Sequence, residues 1–156
     1  MTSSSWSFEI VSTALDRAQP LTKDHEVEVT IAEELPAVRV DERAVSEVVY
    51  TLVDNAAKYS PPGTKIKISA GLKNGMIEMA VEDQGEGVPV GLRERVFDKF
   101  FRATRDGDIS TQQPSGTGMG LAIAKGIVEA HDGKIWIESP SYGHGTRVVF
   151  SLPIGD

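Results

Sequence analysis

Apolar residues recur along this 156-residue chain with two periods, and the chain switches between them several times. From Phe8 to Ala18 the residues Phe8, Val11, Ala14, Leu15 and Ala18 keep helical spacing, and Pro20 predicts an end nearby. Glu26 to Ile31 alternates instead, with Val27, Val29 and Ile31 on one side, so a strand is predicted there. Val38 to Val40 predicts a short second strand. Asp41 is a good helix N-cap and Glu42 suits the first turn. The helix that follows should run to about Lys58, because Ser60-Pro61-Pro62-Gly63 stops it. One of its faces is apolar (Val45, Val48, Val49, Leu52, Val53, Ala56). Thr51, Asp54, Asn55 and Lys58 share a polar face, which is either solvated or lines a site.

Lys65 to Leu72 alternates again, and Asn74-Gly75 is a strong signal for a tight hairpin with a return strand through Ile77, Met79 and Val81. That strand ends at Glu82-Asp83, ahead of Gly85 and Gly87. A short helix is predicted over Gly91 to Phe97. Arg102 to Gly120 is long, polar and glycine-rich, which in a compact domain points to a lid, a binding loop or disorder. A helix from Met119 to Glu129 or His131 follows. Last comes a hairpin of Lys134 to Glu138 with Arg147 to Leu152, joined through Gly143 and Gly145. This order is not a regular βαβ alternation. It predicts an α+β fold, one mixed sheet with helices on one face.

Composition narrows the function. The length fits one domain, expected over residues 8–156 behind a polar, disordered leader at 1–7. The abrupt start suggests a fragment of a longer protein. A net charge of -7 without a dense basic run disfavours a nucleic-acid surface. The lack of cysteine excludes disulfides, thiolate catalysis and Cys-ligated zinc, and suits the cytoplasm. No apolar run approaches the ~20 residues of a membrane span.

Three segments carry candidate chemistry. Gly116-Thr117-Gly118-Met119-Gly120-Leu121 opens a helix, where glycines admit close approach and exposed N–H groups favour an anion; a merely flexible loop would need glycine as well. It is not a P-loop, since no Lys-Ser/Thr pair follows, and no strand precedes it as a dinucleotide fingerprint requires. Asp83 at a strand end only accepts hydrogen bonds, so it could take the amino group of adenine; the alternative is a solvated Asp in a tight turn. The side-chain oxygen of Asn55 could ligate Mg²⁺, a hard ion, or simply face water.

Taken together, these segments resemble the GHKL ATPase superfamily, specifically the histidine-kinase catalytic domain. Leu52-Val53-Asp54-Asn55-Ala56-Ala57-Lys58-Tyr59-Ser60-Pro61 is similar to the family's N box. Asp83 to Gly87 resembles its first glycine box, Phe97 to Arg102 its F box, and Gly116 to Leu121 its second glycine box. Gly143-His144-Gly145-Thr146 is similar to its closing glycine motif, and the resemblance spans Phe8 to Pro153 in the family's order.

The resemblance implies the Bergerat fold, a two-layer α/β sandwich with about five strands. It implies ATP and Mg²⁺ as cofactors, and roles for individual residues. Asn55 would hold Mg²⁺, Lys58 would contact phosphate, and both would be catalytic. Tyr59 would pack near the adenine, Asp83 would bind its amino group, and Gly85 and Gly87 would let the ring lie against the backbone. Gly116, Thr117, Gly118, Met119 and Gly120 would wrap the triphosphate, Leu121 would seat the next helix, and Phe100, Arg102 and Thr146 would complete the site. Arg102 to Ser115 would form the ATP lid. Phe97, Phe100 and Phe101 would anchor it, or serve as plain core.

One departure bears on mechanism. Thr51 stands where the family usually places a second Asn or another polar residue, and where hydrolysing relatives such as gyrase carry a Glu that activates water. Glu47 lies one further turn back, about 12 Å along the helix axis from Asn55. Negligible ATP hydrolysis is therefore expected. The resemblance implies a histidine acceptor on a dimerisation segment, followed by a response-regulator Asp. His25, His131 and His144 do not sit in the family's acceptor pattern, so the acceptor is expected on a segment absent here. The chain would bind ATP as a monomer without phosphorylating itself, while the full-length protein would be membrane-attached. The rival readings are a degenerate nucleotide-binding scaffold and an anti-sigma-type serine kinase.

Overall fold

The computed structural model describes residues 5–32, 35, 36, 38, 40–98, 120–140 and 144–154. Its elements in chain order are α1 (Ser5–Arg17), α2 (Gln19–Thr22), β1 (Glu26–Ile31), α3 (Glu42–Tyr59), β2 (Lys65–Lys73) and β3 (Met76–Glu82). Two 3₁₀ turns (Val90–Leu92 and Arg95–Phe97) precede α4 (Gly120–Ala130), β4 (Lys134–Glu138) and β5 (Arg147–Pro153).

The strands form one five-stranded mixed sheet in the order β1-β2-β3-β5-β4. β1 runs parallel to β2 and the other neighbours are antiparallel. The β2–β3 hairpin turns at Asn74 and Gly75, whose φ angles of 55° and 76° are those of a tight primed turn. The register aligns Ile68 with Val81, Ala70 with Met79, and Met79 with Phe150, so the apolar side chains share one face. α3 packs against β2 and β3 there, α4 against β4 and β5, and α1 lies along α3. All six apolar positions of α3 are buried, together with Ser46. The result is the α+β sandwich with helices on one face.

The opposite face carries a row of alternating charge. Glu28, Lys67, Glu82, Arg147 and Glu138 lie side by side in register across all five strands. Arg147 pairs with Glu82 at 3.3 Å and with Glu138 at 3.2 Å, so the buried Glu82 has its counter-ion.

Helix ends are fixed by named bonds. The Asp41 side chain accepts from the N–H groups of Arg43 and Ala44 at 3.1 and 3.2 Å, as an N-cap should. The Asp41 N–H donates to His131 Nε2 at 3.0 Å, while His131 Nδ1–H donates to the Ile127 carbonyl at 2.9 Å. One imidazole thus closes the end of α4 and ties it to the start of α3.

Four expectations change. α1 begins at Ser5, inside the span expected to be a leader, and Ser7 is fully buried. The buried stripe of α1 is Ser7, Ile10, Val11 and Ala14, continued by Ala18 just beyond it; Val11, Ala14 and Ala18 are as expected, while Ile10 turns inward and Phe8 is 61% exposed. Val38 and Val40 are half-buried against the core without forming a strand. The expected helix over Gly91 to Phe97 is two 3₁₀ turns instead.

Candidate functional site

Five of the sequence candidates, Tyr59, Asp83, Gly85, Gly87 and Thr146, meet where the end of α3, the end of β3 and the start of β5 come together. Asp83 leaves the last residue of β3 and is buried. Its N–H donates to the Thr146 carbonyl at 2.8 Å. Its Oδ1 accepts from the Gly85 N–H at 2.9 Å and the Thr146 N–H at 3.2 Å. Among the described residues no donor is bonded to Oδ2, and that oxygen is not among the sealed, unpartnered atoms. The carboxylate is therefore fixed by one oxygen and open through the other.

Burial raises the Asp83 pKa above the ordinary carboxylate value. The Gly85 and Thr146 N–H groups pull it back, the neighbouring Glu82 charge pushes it up, and the nearby Ser60 hydroxyl pulls it back more weakly. That hydroxyl is itself buried and lacks a hydrogen bond of ordinary geometry.

The glycines here lie in close contact with neighbouring backbone. A Cβ on Gly85 would stand 2.4 Å from the Tyr59 carbonyl oxygen, and one on Gly87 would stand 2.7 Å from the Gly145 carbonyl oxygen. A Cβ on Gly145, whose φ is 137°, would stand 2.0 Å from the Asp83 carbonyl oxygen. Their bare Cα faces thus meet neighbouring backbone, which fuses α3, the loop after β3 and the loop before β5 into one wall. His144 adds a stitch by donating Nδ1–H to the Gly85 carbonyl at 2.8 Å. Gln84 adds another, its Oε1 accepting from the Lys65 N–H at 2.7 Å.

Asn55 is half-buried on the polar face of α3. Lys58 lies on the same face, with its ammonium 3.2 Å from Asp54 one turn back. Tyr59 is half exposed at the helix end. The Thr51 methyl stands 3.3 Å from where a Cβ of Gly120 would lie, so α4 starts against the N-box helix. Leu121 packs on the core, and Phe97 is buried in it. Phe100, Phe101, Arg102, Gly116, Thr117, Gly118, Met119 and Gly143 lie outside the described residues.

This donor set fits a purine nucleotide with a hard cation. It offers an open carboxylate oxygen for an amino donor and an amide oxygen on the adjoining helix. Among the described residues no group of three or more His, Asp or Glu side chains could hold a metal, so a cation at Asn55 would also need oxygens from the ligand. Sequence reasoning gave no role to Ser60 or to the brace from His144, and placed Asp54 on the polar face without its pairing to Lys58. Only the Asp54–Lys58 pair had a local signal, its i,i+4 spacing.

Comparisons with known proteins agree with this geometry. A family model described as "Histidine kinase-, DNA gyrase B-, and HSP90-like ATPase" matches residues 40–156. The sensor protein KdpD of Clostridium acetobutylicum is 36% identical over 146 residues, covering 93% of this chain and 16% of that protein. The sensor histidine kinase WalK of Bacillus subtilis is 36% identical over 149 residues, covering 92% of this chain and 23% of that protein. The chain thus spans well under half the length of these relatives. Among solved structures, the mycobacterial sensor histidine kinase MprB superposes with a TM-score of 0.78 at 33% identity, covering 94% of this chain and 93% of that one. Among the described residues no helix is long and apolar enough to cross a membrane.

Proposed function

The chain belongs to the family of histidine kinase-, DNA gyrase B- and HSP90-like ATPases, and from that premise we propose that it is the ATP-binding catalytic domain of a sensor histidine kinase. It holds Mg-ATP for phosphoryl transfer to a histidine on a separate dimerisation segment, and the phosphoryl group passes on to an Asp of a response regulator. Asp83 carries the reading: a buried carboxylate locked through Oδ1 with Oδ2 open suits the amino group of adenine.

Bound Mg-ATP would supply the transferable γ-phosphoryl group and the cation that neutralises its charge. The chain's own residues bind and orient. Asp83 takes the base, Asn55 offers a hard oxygen to the cation, and Lys58 adds positive charge on the same helix face. Such positioning is most of what phosphoryl transfer asks of a protein. Among the described residues no base on this face is arranged to activate water. Thr51 has no carboxylate and its methyl adjoins Gly120, Glu47 is paired with Arg17 of α1 at 2.5 Å, and Asp54 is paired with Lys58.

Isothermal calorimetry with ATP, with and without Mg²⁺, on the parent chain and Asp83→Asn tests this, together with an assay for ADP release. A hydrogen bond to a charged group contributes about 1.5–3 kcal/mol, so Asp83→Asn should weaken ATP by roughly 10- to 150-fold. No ADP should accumulate. Absence of ATP binding by the parent would point to a degenerate scaffold, and steady ADP production would point to a hydrolysing branch of the family.

A further inference from the structure

Ser60 is the residue at which α3 ends. Its N–H donates to the Ala56 carbonyl at 3.1 Å, and its extended backbone (φ −105°, ψ 143°) turns the chain away from the helix axis. The side chain is only 6% exposed, and its Oγ is the single buried side-chain oxygen or nitrogen among the described residues with no hydrogen-bond partner. A buried hydroxyl without a partner costs free energy, so its presence calls for an explanation. The adjoining charge is Asp83, brought close because Gly85 lets the last turn of α3 meet the loop after β3 backbone to backbone.

We infer that Ser60 is a positioning residue that acts through Asp83, its buried hydroxyl facing the carboxylate from the end of α3 and leaving Oδ2 to a nucleotide base. This rests on the reading of Asp83 as the base acceptor. The carboxylate is then gripped from α3 as well as from the two loops, and its charged form is favoured. The other charged or titratable groups around it are Glu82 with its partner Arg147, Lys65 and Lys67 of β2, Tyr59 at the end of α3, and His144 on the Gly85 carbonyl. None of these is altered by replacing Ser60.

The test uses Ser60→Ala and Ser60→Thr in the whole chain. Carboxyl-carbon NMR titration of Asp83 without nucleotide should show its pKa displaced upward in Ser60→Ala and restored in Ser60→Thr. Calorimetry with ATP should show the acid loss of binding beginning at higher pH in Ser60→Ala, with affinity down about tenfold near that loss and little changed at alkaline pH. Since Ser60→Ala removes an unpartnered buried hydroxyl, the melting temperature without nucleotide should hold or rise. A purely structural Ser60 would instead give a lower melting temperature and a uniform loss of affinity at every pH. That result, or an Asp83 titration identical to the parent's, overturns the inference. If Asp83 moves as expected but the parent binds no ATP, the nucleotide reading fails while the Ser60–Asp83 coupling stands.

Discussion

Adding one methyl group at Gly85 should damage both the fold and the nucleotide site. In Gly85→Ala the new Cβ would lie 2.4 Å from the Tyr59 carbonyl oxygen and 3.3 Å from Asp83 Oδ1. An ordinary carbon–oxygen contact needs close to 1 Å more than the first distance, and neither backbone can yield as a flexible side chain would. Overpacking of this kind costs about 1–3 kcal/mol, and a backbone-to-backbone clash belongs in the upper part of that range. For a domain of this size that is a melting-temperature loss of roughly 4 to 12 °C.

The relief available is for the loop after β3 to retreat from the end of α3. Retreat lengthens the 2.9 Å bond from the Gly85 N–H to Asp83 Oδ1, so the carboxylate loses one of the two donors that aim it. ATP affinity should then fall at least about tenfold, the value of one weakened bond to a charged group. Gly91→Ala is the matched control, because nothing lies within 4 Å of its Cβ position; it should stay within about 0.5 kcal/mol of the parent. Urea unfolding and ATP calorimetry on the two variants decide the matter. A Gly85→Ala chain as stable as the parent, with parental affinity, would refute the argument that these glycines weld the wall.

Two further outcomes follow from the same structure. The Asp83 pKa is raised by burial, so ATP binding should be lost on acidification starting above the ordinary Asp value of about 3.9, as followed by calorimetry across pH. The stability term has the opposite sign: a raised carboxyl pKa favours the fold below the unfolded value, and that contribution is lost as pH rises through the folded value, so urea titrations of Asp83→Asn should show a flatter pH dependence. Gly126→Ala, on the exposed side of α4 with nothing within 4 Å of the new Cβ, should stabilise the chain by about 0.5–1 kcal/mol in urea unfolding.

Much of this molecule is legible in one dimension because its signals are local. The Asp41 cap, the apolar stripe of α3, the Asn74-Gly75 turn and the alternation of β2 and β3 each occupy a few consecutive residues, and each predicted the element observed. Phe8 misled because Phe8 and Ile10 flank the same apolar stripe through Val11 and Ala14, and only docking against α3 selects the edge with Ile10. Val38 and Val40 misled because alternation records which side chains turn inward, and half-buried loop residues can do that without a strand partner.

The site was half legible for the same reason. Asn55, Lys58 and Asp83 could be named from residue type and position, whereas their restraints could not. The Thr146 N–H reaches Asp83 across 63 residues, and the Tyr59 carbonyl sits under Gly85 only because β2 and β3 return the chain to the end of α3. A glycine-rich motif suggests room for a ligand, and that was the expectation for Gly85 and Gly87. In the fold the Cβ positions of Gly85 and Gly87 are taken by neighbouring backbone, and the oxygen left unpaired is Oδ2 of the carboxylate held by that backbone. On the proposed reading of Asp83, glycine would serve nucleotide recognition at one remove, by letting three chain segments come close enough to immobilise that carboxylate. An Asp in the same turn with side chains at residues 85, 87 and 145 would keep its charge but lose the restraint that aims it.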